Sequence, residues 1–78
     1  LNQAMKIQQF VLCMEEGYLY TASALARKVP LRKMTAQKVA AFLAGIPPGH
    51  INRTTDEYTN QKLYYLPGTR VKDAKVIR

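Results

Sequence analysis

Residues 20–43 read Tyr20-Thr21-Ala22-Ser23-Ala24-Leu25-Ala26-Arg27-Lys28-Val29-Pro30-Leu31-Arg32-Lys33-Met34-Thr35-Ala36-Gln37-Lys38-Val39-Ala40-Ala41-Phe42-Leu43. Two short helices with a break between them are written into this stretch. Thr21 is placed to N-cap the first, because its hydroxyl can accept an amide left without a partner in the opening turn. Leu25, Ala26 and Val29 then share an inner face, while Arg27 and Lys28 point outward. Pro30 stops this helix, since it lacks the N–H that continuation requires. The second helix is expected to start between Leu31 and Thr35 and to span about 32–44. Ala36, Val39, Ala40 and Leu43 lie on one side of it, and Lys33, Met34, Gln37, Lys38 and Ala41 on the other. Gly45 and the pair Pro47-Pro48 end the element.

On the N-terminal side, Asn2 to Glu16 is expected to form a helix. Ala4, Ile7, Phe10, Val11 and Met14 recur at steps of three and four, and Gly17 supplies the left-handed residue at its end. Met5, Leu12 and Cys13 widen its apolar arc, which suits either a small core or a contact with another copy. Tyr18-Leu19-Tyr20 reads as a brief strand. On the C-terminal side, His50–Thr54 and Lys62–Leu66 read as two strands of a hairpin around the turn-forming stretch 55–61. Alternation puts Leu63 and Tyr65 on one face of the second strand and Tyr64 and Leu66 on the other. Pro67-Gly68 closes the hairpin. The expected organisation is one domain over residues 1–68 and a basic tail over 69–78.

The whole sequence has 78 residues, 47% hydrophobic and 22% charged, the balance of a folded domain rather than a disordered chain. A chain this short buries about 60% of its unfolded surface, so the core must be economical. Twelve Lys and Arg against five Asp and Glu leave +7 at pH 7. That surplus favours a polyanionic partner, nucleic acid first and an acidic membrane surface second. No apolar run approaches the roughly 18 residues of a membrane span, so no membrane insertion is expected. Cys13 and His50 are the single cysteine and histidine, which excludes a disulfide framework or zinc finger within one chain. A lone thiol suits a reducing, cytoplasmic setting. The sequence begins at Leu1 rather than Met, which leaves room for a preceding segment.

The order helix, short strand, helix, helix, hairpin resembles the winged helix-turn-helix family of DNA-binding domains. The likeness rests on an ungapped run from Tyr20 to Val29: hydrophobic, Thr, three variable positions, Leu-Ala, two polar residues, aliphatic. Pro30, Leu31 and Arg32-Lys33-Met34-Thr35 occupy the turn and the polar helix start, and Ala36 to Leu43 continues the recognition-helix pattern. The family's Gly-x-Ile-x-Arg strand is matched by Gly49-His50-Ile51-Asn52-Arg53, and its closing Tyr-x-Leu by Tyr64-Tyr65-Leu66. The resemblance covers Ile7 to Leu66. It implies an α+β fold, three helices with a short strand and a C-terminal hairpin wing, in a small bacterial, plasmid or phage transcription regulator. Pro30 departs from the pattern, because many such motifs carry Gly there, whose positive φ proline cannot adopt. A looser turn is expected.

The chemistry of the residues fits double-stranded DNA. One α-helix fills a major groove, where Gln37 could pair bidentately with adenine, Lys38 and Arg32 donate to guanine, and Thr35 or Met34 touch a thymine methyl. Lys33 and Arg32 sit near the helix start, which itself favours phosphate. Between Gly17 and Thr55 there are six basic residues (Arg27, Lys28, Arg32, Lys33, Lys38, Arg53) and no acid. In the hairpin, Arg53 and Lys62 are the candidates for backbone contact, whereas Asp56 and Glu57 would repel phosphate. If about five phosphates were contacted, log affinity would fall with a slope near −4.5 against log salt. Catalysis finds no footing: the acids form two adjacent pairs and one residue near the end, and no phosphate-cradling Gly loop is present, so no enzyme and no cofactor is expected. The rival readings are a module that binds a protein or another copy of itself, and RNA binding through the same basic face.

Overall fold

Asn2 opens the first helix, α1 (Gln3–Leu12), by accepting the Met5 amide on its side-chain oxygen at 2.9 Å. The computed structural model describes residues 2–78. The helix is shorter than the spacing predicts. Cys13 N–H bonds to the Phe10 carbonyl at 3.2 Å, a three-residue closure that tightens the last turn. Beyond it the Glu15 amide donates to the Tyr20 hydroxyl at 2.8 Å instead of continuing the ladder. Two carboxylates, Glu15 and Glu16, would also sit badly at the negative end of a helix. Gly17, at φ 97, then turns the chain into the sheet, and its N–H donates to Thr69 Oγ1 at 3.0 Å.

Strand β1 (Tyr18–Thr21) leads without a break into α2 (Ala22–Lys28). Thr21 closes the strand and caps the helix, its hydroxyl accepting the Ala24 amide at 3.1 Å. After Pro30 the chain makes an extended turn. The third helix, α3 (Ala36–Ala44), begins later than the 32–44 expected. Lys33 has φ 55 and Thr35 is extended at φ −119, and neither conformation fits inside a helix. Strands β2 (Asn52–Thr55) and β3 (Lys62–Tyr65) form the hairpin.

The stretch 69–78, expected to be a tail, carries a 3-10 turn at Val71–Asp73 and a fourth strand, β4 (Lys75–Ile77). The sheet order is β2-β3-β1-β4, with β1 antiparallel to β3 and parallel to β4. Registers Tyr20↔Tyr64 and Leu19↔Val76 fix which side chains share a face. One face carries Tyr20, Tyr64 and the half-buried Ile77 onto the helices, where Phe10, Leu25, Val39 and Leu43 complete the core. Phe10 stacks on Phe42 with ring centroids 5.7 Å apart.

The opposite face is also covered. Leu63 and Tyr64 are each 2% exposed although they point to opposite sides of β3. Leu63 and Leu19 border a groove together with Val71, Ala74 and Val76 from the C-terminal segment. Truncating Leu63 therefore tests whether that segment is part of the folded unit. Leu63→Ala should cost about 2–4 kcal/mol in urea unfolding and raise hydrogen exchange in residues 71–77. Normal exchange there would mean that this segment is not held by the sheet.

Candidate nucleic-acid interface

The turn into α3 collects most of the expected contact residues. Arg32 and Lys33 are exposed on the turn, and Gln37 and Lys38 are exposed on the first turn of α3. Lys33 holds its left-handed backbone at a cost of about 1 kcal/mol relative to glycine. Its carbonyl accepts from Lys38 Nζ at 3.2 Å, which pins the turn to the helix it precedes. Lys38 therefore lies back along the N-terminal end of α3, its ammonium group close to Lys33. Arg32, Lys33, Gln37 and Lys38 are thus four exposed polar residues within seven positions of chain, and three of them are positive. No acidic residue occurs between Gly17 and Thr55, and among the described residues the single ion pair is Arg78–Asp56.

Other expected contact residues serve the fold. Thr35 is the N-cap of α3, its hydroxyl accepting the Lys38 amide at 3.2 Å. Met34 is half-buried and packs against the core, as does Leu31. Both lie before the helix rather than on its outer face. Arg53, on edge strand β2, is placed by its register with Tyr64 on the helix side of the sheet. Its guanidinium donates to the Leu43 carbonyl near the end of α3, neutralising a carbonyl that the helix leaves unpaired. Leu43 is five residues past Lys38, about 7.5 Å further along the helix axis, so Arg53 stands apart from the turn cluster. Lys62 is exposed at the base of the hairpin loop and donates to Thr55 Oγ1 at 2.9 Å.

Two further cations face aromatic rings. Lys6 Nζ lies 5.9 Å from the centroid of Phe42, and Lys28 Nζ lies 6.0 Å from that of Tyr20. Cys13 is half-buried, and burial pushes its thiol above the ordinary value despite the opposing charge of Lys28. Its Sγ donates to the Phe10 carbonyl at 3.3 Å. Burial likewise raises the Tyr64 phenol, against the pull of Arg53. His50 is exposed. Among the described residues no group of three His, Cys, Asp or Glu is placed to hold a metal ion, and no helix is long and apolar enough to cross a membrane.

The hairpin loop holds features that sequence reasoning missed. Tyr58 is 90% exposed at its tip. Asp56 organises the loop, one carboxylate oxygen accepting the Tyr58 amide at 2.8 Å and the Thr59 amide at 3.2 Å. An aspartate heading a Thr- and Asn-rich stretch is the sequence signal for such a turn. The partner of its other oxygen, Arg78, carries no local signal at all. Comparison of the chain with family models, with curated proteins and with solved structures returned no match.

These contacts make two measurable differences. Arg53→Ala should lower stability by about 0.5–1.5 kcal/mol through loss of the bond to α3, with hydrogen exchange rising at the C-terminal end of that helix. A thermal melt matching the parent would remove Arg53 from the fold's support. The Asp56 carboxyl is held below its ordinary value of 3.8, chiefly by the amides of Tyr58 and Thr59 and then by Arg78. A lowered carboxyl value stabilises the folded state above the unfolded value and stops doing so as pH falls through the folded one. Acid titration should therefore loosen the hairpin loop below about pH 4, and Asp56→Asn should abolish that pH dependence in loop amide exchange.

Proposed function

We propose that the protein is a sequence-specific, double-stranded-DNA-binding winged-helix domain, acting in transcription regulation. The observation that carries this reading is that Arg32, Lys33, Gln37 and Lys38 are all exposed at the start of α3, within a stretch from Gly17 to Thr55 that contains no acid. A helix whose outer face offers an amide and cations to solvent is suited to base edges and phosphates. The order of elements from α1 to the β2–β3 hairpin supports the winged-helix resemblance, with β4 as an addition to it. In this reading α3 enters the major groove, α2 braces it, and the hairpin flanks the backbone through Lys62. Arg53, bonded to α3, stabilises the recognition helix from behind and takes a lesser part in contact.

Selection of duplexes from a random pool, followed by fluorescence anisotropy over a salt series, tests the proposal. Gln37→Ala should weaken binding to the selected site by about 1–3 kcal/mol and relax preference at one base pair. Lys33→Gly separates binding from folding: it relieves the left-handed backbone, so stability should hold, while the salt slope becomes shallower by about 0.9. Recovery of no enriched motif, or affinity indifferent to these changes, would overturn the assignment. Preference for RNA over duplex would redirect it to the same face with a different polymer.

A protein partner has one observation of its own in the exposed Tyr58 beside Glu57. An exposed tyrosine is a common anchor in protein interfaces. Binding to a protein that depends on Tyr58 and is unmoved by Lys38→Ala would favour that reading.

A further inference from the structure

The hairpin loop is gripped from outside by a single side chain. Arg78 follows β4, the strand at the opposite edge of the sheet from β2. Because β1 runs antiparallel to β3 and parallel to β4, the end of β4 and the start of β3 meet at one end of the sheet. Arg78 Nη1 donates to Gln61 Oε1 at 2.8 Å, and its Nη2 donates to Asp56 Oδ2 at 3.2 Å. The carboxylate that shapes the loop through its first oxygen thus also receives this clasp through its second. On the other side, Arg27 Nη2, from the last turn of α2, donates to the Arg78 carbonyl at 2.7 Å. A hydrogen-bonded path therefore runs from α2 through Arg78 to both ends of the hairpin loop.

We infer that Arg78 is a positioning residue, setting the hairpin loop at a fixed angle to the α2–α3 pair. Its planar fork reaches two acceptors at once, which a lysine ammonium on a flexible stem does not reproduce. The Arg78 side of the pair is 54% exposed and the Asp56 side 12%; a pair open to solvent on one side adds little to global stability, so the clasp acts on orientation. Without it the loop would hinge about β2 and β3, and a duplex would have to freeze that motion to touch hairpin and helix together. Its consequence for binding rests on the DNA-binding reading above; its effect on the loop does not.

The test uses the full chain as Arg78→Ala, Arg78→Lys and Gln61→Ala, with two readouts. In the free protein, Arg78→Ala should raise exchange of the Tyr58, Thr59 and Asn60 amides about three- to fivefold, the scale of a weak charge pair. Core amides such as Leu25 and Val39 should keep their protection. Arg78→Lys and Gln61→Ala, each keeping part of the clasp, should fall between. On the selected duplex, Arg78→Ala should weaken affinity by a similar factor with the salt slope unchanged. Unaltered loop exchange would overturn the inference, and so would a slope shallower by about 0.9, the mark of a direct phosphate contact. If the parent chain binds no duplex, the DNA-binding reading fails while loop exchange still decides the role of Arg78.

Discussion

Thr21 belongs to two elements at once. Its backbone is in register with Leu63 in the sheet, and its hydroxyl holds the first turn of α2 through the Ala24 amide. It is 2% exposed, so neither water nor another side chain can substitute for that bond cheaply. Everything downstream inherits the direction set here. Tyr20, one residue earlier, faces the helices opposite Tyr64, and Leu25, four residues later, returns to the same core. A slip of one residue in β1 would turn Leu19 and Thr21 to the helix side and carry α2 away from α3.

A chain of +7 must place its charges without destabilising a small core, and here the cations divide by task. Arg53 ends α3, Arg27 and Arg78 tie α2 to the hairpin loop, and Lys6 and Lys28 lie over aromatic rings. Arg32 and Lys33 are left facing solvent on the turn before α3, where Lys33 alone is left-handed, at φ 55. The proposed DNA-binding face joins these two to Gln37 and Lys38 on the first turn of α3, a smaller set than the count of basic residues suggests. The acids follow the same division: Asp56 shapes the loop, and Glu16 lies so close over Gly68 that a Cβ there would meet its carboxylate at 2.6 Å.

Helix spacing, the Thr21 cap and the stop at Pro30 were legible because each depends on neighbours within a few residues. The two hairpin strands were legible for the same reason, to within two residues at their ends. Strand β4 was not. It is three residues long, and its partner β1 lies more than fifty positions earlier, so its pairing has no local pattern. Met34 was read as an outward residue because the helix was expected to begin before it. With the start moved to Ala36, helical geometry no longer governs Met34, and it turns to the core.

The amino-acid order alone determined that this chain builds three short helices and a hairpin, and that its cations crowd the middle of the sequence. Those properties follow from side-chain periodicity, capping chemistry and charge, all of which act over one or two turns of chain. Which cations stay free was decided only by tertiary structure. Arg53 meets a carbonyl ten residues away, and Arg78 meets a carboxylate twenty-two residues away. Such bonds exist because packing brings distant backbone together, and no local pattern of residue types encodes that distance.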